Sequence, residues 1–236
     1  MNDLPSYVSY TFIACVLVTL GFIYYAVSQA SPAKKHATTI VMMTIILAWF
    51  FIIGGLSYAN FFLDFVSTPP KLMLATGFVF LLMVALFSIK KARDFICKMP
   101  LTTLTYVHMV RIPVEIVLWW LFLKGLIPVE ITFEGMNFDI LSGISAPFAA
   151  LFLLGKKSKS TISAILWNMI TAGLLLNVAI RAIAATPYFH VPDGIEVLNI
   201  AVFYFPFIFL PLFIVPVALF CHIASIYIMV ANTWKN

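Results

Sequence analysis

The chain has 236 residues, of which 63% are hydrophobic, 16% aromatic and only 10% charged. Soluble domains carry about 25% charged residues, so this composition excludes a water-soluble globular protein, and helix-length apolar runs use up the length a soluble domain would need. The net charge of +5 does not indicate nucleic acid, because most basic residues fall in short loops between apolar runs, the pattern of a polytopic membrane protein whose first partner is the lipid bilayer.

Apolar runs of about 17–25 residues predict an all-α bundle of seven transmembrane helices forming a single domain over 1–236. The spans fall near 7–29, 38–60, 71–89, 101–126, 138–155, 161–185 and 197–230. The segment before the first span, Met1 to Pro5, lacks the basic n-region of a cleaved signal peptide, so that span is expected to remain in the mature protein. Lys34 and Lys35 follow span one, and Lys90, Lys91, Arg93 and Lys98 follow span three with Asp94 among them. Lys156, Lys157 and Lys159 follow span five, and Lys235 follows span seven. The opposite side holds Asp3, Asp64, Glu130, Glu134, Asp139, Asp193 and Glu196, with Lys71, Lys124 and Arg181 as its bases near span ends. This is a positive-inside pattern, with the N-terminus outside and the C-terminus cytoplasmic. Tyr7, Tyr10, Trp119, Trp120, Tyr188 and Trp234 lie near the expected interfaces. Span seven would be about 50 Å long as a straight helix, more than the ~30 Å hydrocarbon core. Its outer end is therefore expected to turn along the interface, and Pro206, Pro211 and Pro216 to bend it. Cys15 and Cys221 lie in spans and Cys97 in a basic loop, which predicts no disulfide.

Span four carries charges where an apolar helix should have none. His108, Arg111 and Glu115 stand at i, i+3 and i+7, on one helical face. An arginine at the bilayer centre costs roughly 2.5–3.5 kcal/mol on insertion scales, so the three are expected to face a partner, a cavity or a substrate. Pro113 removes one backbone hydrogen bond and leaves the Met109 carbonyl without its usual donor. Two readings stay open: an Arg111–Glu115 pair that neutralises itself, and a polar-ligand or ion site.

Asn137 and Asp139 open span five at the outer side, within a polar stretch from Thr132 to Pro147 that reads either as the mouth of a cavity or as a solvated turn with an N-cap. In span six, Asn177 and Arg181 share a face near the outer side, where Arg181 either pairs with Asp139 or snorkels to the interface. Asn168 lies in the inner half at the depth of His108. His222 in span seven lies at that depth as well. Two histidines at one level raise the options of axial haem ligation, a metal site or a proton relay, set against ordinary hydrogen bonding within the bundle. A zinc site would need about four ligands, and Cys221 and Asn168 complete no recognised spacing.

Other chemistries drop out. Gly143-Ile144-Ser145 loosely resembles a rhomboid-type serine motif, but Ser145 and the histidines should differ by about 10 Å in depth, too far for a nucleophile and its base. Span seven has no lysine before Lys235, which excludes retinal. There is no HExxH or phosphate-binding glycine motif, and no span carries the repeated arginines of a voltage sensor.

The stretch Arg111-Ile112-Pro113-Val114-Glu115, followed by Thr132-Phe133-Glu134-Gly135-Met136-Asn137-Phe138-Asp139, resembles small, uncharacterised bacterial seven-helix inner-membrane proteins. The resemblance runs from the middle to the end of the chain. It implies a multi-pass protein of the cytoplasmic membrane and no particular activity.

The leading expectation is a small transporter, channel or polar-ligand binder. Arg111 would hold a polar or anionic group or ion, Glu115 would be a titratable partner and His108 an inner relay. Asp139, Asn177 and Arg181 would form the outer mouth, with Asn168 deeper in. One rival is a membrane redox or metal protein using His108 and His222. A third is a partner or signalling subunit whose charged face is shut by internal pairs, with no cavity wider than a water molecule. Assembly as a homo-oligomer is compatible with all three.

Overall fold

The computed structural model describes residues 4–30, 35–154, 161–189 and 197–233. Among them every regular element is helical. The long helices are α1 (Ser6–Ala30), α2 (Lys35–Tyr58), α3 (Lys71–Ser88), α8 (Thr161–Ala184) and α9 (Val215–Thr233), with a short α4 (Lys90–Ile96) after α3. Span four is α5 (Leu101–Tyr106), a tighter 3-10 stretch at Val107–Val110, and α6 (Arg111–Leu123) in sequence. The tightening lies just before Pro113, where the helix has lost a donor, and the Arg111 N–H bonds back to the His108 carbonyl three residues earlier.

Six helices are long and apolar enough to cross a membrane, the last counted from Leu210. The expected fifth span, 138–155, is shorter. It comprises α7 (Ile140–Phe148) and a widened π turn at Ala149–Leu153, about 21 Å by the helical rise and below the ~30 Å a straight span needs. The segment between α6 and α7 is irregular apart from a 3-10 turn at Val129–Ile131. Glu115 stands two turns before the end of α6 at Leu123, about 12 Å by the helical rise, yet Asn137 bonds to its carboxylate. The chain leaving α6 therefore turns back into the bundle and starts α7 at the depth of Glu115. Gly135 makes this turn possible, because a Cβ there would overlap the Val129 carbonyl and approach the Glu130 Cα at 2.8 Å.

The expected seventh span, 197–230, is likewise helical only in its later part. Residues 197–209 form turns around a 3-10 segment at Ala201–Phe203, and a π turn at Leu210–Ile214 leads into α9. Pro206 lies in the turns, Pro211 in the π turn and Pro216 at the start of α9, so all three fall where regular α-helix is absent or just beginning. Many of the charges on which the orientation rests, including Lys34, Lys156, Lys157, Lys159, Lys235, Asp3, Asp193 and Glu196, lie outside the described residues.

Burial is uneven. The windows of α1, α5–α6 and the last helix are 44–56% buried, those of α2 and α3 only 11%. In an apolar solvent, helices associate through close packing rather than hydrophobic expulsion. The inner helices use small residues for this: Ala26, Ala30, Ala146, Ala164 and Ala224 are each no more than 1% exposed. Aromatic contacts join the segment before α9 to α1 and α2, with Phe12 against Phe207 at 5.2 Å and Phe50 against Phe213 at 4.7 Å. Before α3, Asp64 accepts from the Val66 and Ser67 N–H groups and pairs with Lys71 at 2.8 Å. The Lys71 ammonium and these donors hold its carboxyl below the usual carboxylate range.

Gly143 of α7 lies against the 3-10 stretch. A Cβ there would come within 2.7 Å of Ile112 Cγ1 and 3.2 Å of the His108 carbonyl oxygen. Gly143→Ala is expected to destabilise the protein by about 1–3 kcal/mol through overpacking. Gly173→Ala, where a Cβ meets nothing within 4 Å, should be neutral or stabilising by up to about 1 kcal/mol. Thermal unfolding of both variants in mild detergent checks the contrast.

Candidate functional site

The charges that the sequence distributes over a helix and a loop meet at the α6–α7 junction. Arg111 Nη1 lies 3.2 Å from Asp139 Oδ1, each side chain being 4% exposed. The same nitrogen donates to the Thr171 carbonyl of α8 at 3.4 Å. Arg111 thus pairs with α7, and no Arg111–Glu115 ion pair is present among the described residues. Glu115 is satisfied differently: its Oε2 accepts from Asn137 Nδ2 at 2.6 Å.

Asn137 is the connector. Its amide also donates to the Ile131 carbonyl at 3.0 Å, and its Oδ1 accepts the Asp139 N–H at 2.9 Å. The last contact is an Asx turn, which fixes the backbone where α7 begins. Asp139 occupies the N-cap position of α7 but caps no backbone N–H. Its Oδ1 instead takes the Arg111 pair and the Ser142 hydroxyl at 3.4 Å. Arg111 itself is incompletely satisfied, since Nε and Nη2 are buried with no hydrogen-bond partner.

Asn177 and Arg181 do not join this site. Asn177 donates to the Met136 carbonyl at 2.8 Å, and Arg181 Nε donates to Asn177 Oδ1 at 3.1 Å. They brace the outside of the inserted segment, and the Asp139–Arg181 option gives way to Asp139–Arg111.

His108, Asn168 and His222 do come together, on the other side of Arg111. The two imidazoles stack with centroids 3.8 Å apart and planes 10° apart, and both residues are 0% exposed. Asn168 Nδ2 donates to the Ala164 carbonyl at 2.9 Å, leaving its Oδ1 to face His222 Nδ1 at 3.0 Å. An acceptor at that position assigns the Nδ1–H tautomer to neutral His222. His222 Nε2, both His108 nitrogens and Ser225 Oγ have no partner. Trp167 packs near both rings at 5.8 and 6.0 Å and donates to Ser145 Oγ at 3.0 Å.

This pair does not fit a haem. Axial ligation needs two imidazole nitrogens directed at each other across the iron, with the porphyrin between the rings. Rings stacked face to face at 3.8 Å leave no such slot. Nor does any group of three or more His, Cys, Asp or Glu among the described residues form a metal-holding cluster.

A cavity of about 350 Å³ reaches the charged site. Arg111, Glu115 and Asp139 line one part of it, and the rest is largely apolar surface from α3, α6, α8 and the start of α9, with Thr186, Tyr188 and Asn199 at the end beyond α8. Its volume falls in the range of about 300–1,000 Å³ typical of small-molecule sites.

Sequence reasoning gave no reason to single out Trp167, whose role rests on packing across helices. It had no means of finding Thr171 either, because Arg111 uses that residue's backbone carbonyl. No known protein family, curated protein or solved structure matches the chain.

Breaking a buried pair strands a charge and costs about 3–5 kcal/mol, whereas replacing both partners by apolar groups is close to neutral. Asp139→Leu and Arg111→Met are each expected to lower stability by about that amount. The double variant should be less destabilised than either single one, as read from thermal unfolding in the same detergent.

Proposed function

We propose that this protein is a membrane binder or carrier for a small polar or anionic molecule, with Arg111, Glu115 and Asp139 as its binding site. The observation that carries the reading is the Arg111 guanidinium. Asp139 and Thr171 engage Nη1, while Nε and Nη2, the side-on fork that matches a carboxylate or phosphate, have no partner. Arg111 also lines a cavity of small-molecule size. A partner subunit without its own ligand would be expected to close its charged face with internal pairs, which the cavity and the free fork disfavour.

In this reading the inserted segment and α7 together make the fifth of seven crossings, with the N-terminus outside and the C-terminus cytoplasmic. The positive-inside loops and the resemblance to small bacterial inner-membrane proteins support a bacterial cytoplasmic membrane. Glu115, held by Asn137, is the titratable partner of the ligand, and His108 with His222 and Asn168 forms a polar relay on the inner side. Asn177 and Arg181 support the outer mouth from behind.

The test is equilibrium binding of radiolabelled acetate, butyrate, decanoate and inorganic phosphate to the protein in nanodiscs, with empty nanodiscs as background. At least one should bind the wild type and lose affinity at least tenfold in Arg111→Lys, which keeps a charge for Asp139 but lacks the fork. No binding to the wild type, or equal binding to Arg111→Lys, overturns the proposal.

A further inference from the structure

The cavity is not enclosed by the helices that line it. α3 and α8 both contribute to its wall, yet α3 makes its helix contacts with α4, α9 and the turn before α9, and no extended one with α8. Residues of both helices that line the cavity are also exposed: Met73 at 42%, Ile183 at 45%, and Gly77; α3 as a whole is among the least buried helices, with 11% of its window buried. A Cβ added at Gly77 would meet nothing within 4 Å. This places an opening where the bundle faces hydrocarbon, between two helices that do not close on each other.

The lining agrees with the position of the opening. Along α8 the cavity extends from Leu175 to Ile183, about 12 Å by the helical rise, and it continues past the end of α8 to Thr186. Leu72, Gly77, Val178 and Ile214 are typical of the surface beside that path. A small hydrophilic ion would leave this surface without a partner, whereas an alkyl chain would cover it. At the charged end, each carboxylate already accepts a hydrogen bond, Glu115 from Asn137 and Asp139 from Ser142. The groups still unpartnered there are the Arg111 donors Nε and Nη2. The head that fits is therefore an acceptor, and an anionic one matches the guanidinium fork.

We infer that the ligand is a single-chain anionic amphiphile that reaches the cavity sideways from the bilayer between α3 and α8, its head at Arg111 and its chain along the apolar wall. This deepens the proposed function and rests on its assignment of Arg111 as the ligand-binding group.

The experiment is photolabelling of the full chain in proteoliposomes with palmitate carrying a diazirine in its chain, adducts being located by peptide mass spectrometry. Adducts are expected on α3 within 72–80, and on α8 and the turn that follows it within 175–186. Unlabelled palmitate should suppress them, and hexadecylamine of the same length should not. Gly77→Phe, which fills the opening, should reduce labelling at least fivefold, as should Arg111→Lys. Gly173→Phe, with open space around it on α8, is the control and should label as wild type. Adducts spread over lipid-facing surface and unaffected by Gly77→Phe overturn the inference, as does equal suppression by hexadecylamine. If that result accompanies Arg111-dependent binding of butyrate or phosphate, the proposed function stands and only the amphiphile and its sideways path fall. If neither palmitate nor the short anions depend on Arg111, both fall.

Discussion

A guanidinium held within an apolar bundle must be neutralised and hydrogen-bonded on the spot, because water is not there to do it. Arg111 meets part of that demand through a carboxylate at the start of α7 and a backbone carbonyl from α8, leaving Nε and Nη2 free, so one side chain ties three helices together. The two neighbouring polar systems depend on it. On one side, Asn137 bridges Glu115 to the start of α7. On the other, Asn168 orients His222 against His108.

Bringing Asp139 to Arg111 has a geometric consequence. A longer helix in place of α7 would start level with the end of α6 and leave its first residues far from the middle of span four. The chain instead folds back beside α6 as irregular structure and begins α7 late. Irregular backbone is tolerated at such depth only when buried in protein or beside a cavity, and both conditions hold. Asn137 is 0% exposed and Asp139 3%, and Asp139 lines the cavity. Gly135 and Gly143 accommodate the close backbone approaches this path requires. A shortened helix starting at a charged site is also how broken helices of transporters present polar backbone to a ligand, which is an analogy of architecture and carries no sequence relationship.

Packing density divides the molecule into a firm part and a loose one. α1, α5–α6 and α9 form the well-buried centre, while α2 and α3 lie at the margin. The cavity sits at the boundary between them. The stacked histidines lie within the firm part, with their ring nitrogens largely unpartnered. These unpartnered polar atoms give the region around the histidines a polar character unlike that of the apolar cavity wall.

The sequence by itself determined the class, the position of nearly every long helix and the face of span four on which the charges lie, because hydropathy over about 20 residues and helical periodicity are local properties. It also placed His108, Asn168 and His222 at one depth, since depth follows from counting residues along a straight helix. Partner choice lay beyond it. Glu115 is one turn from Arg111 along the helix and was one of the open readings for its partner, but Asp139 takes that place and Asn137 takes Glu115. That outcome depends on the inserted segment, whose polar composition reads equally well as a solvated turn. The position of α7 itself was legible, within two residues of the expected 138–155 at each end, but the path that brings its start to Glu115 was not. Only the tertiary structure decided these points, because pairing in a low-dielectric interior is set by which groups the packing brings within about 3 Å, and neither separation in sequence nor residue type fixes that distance.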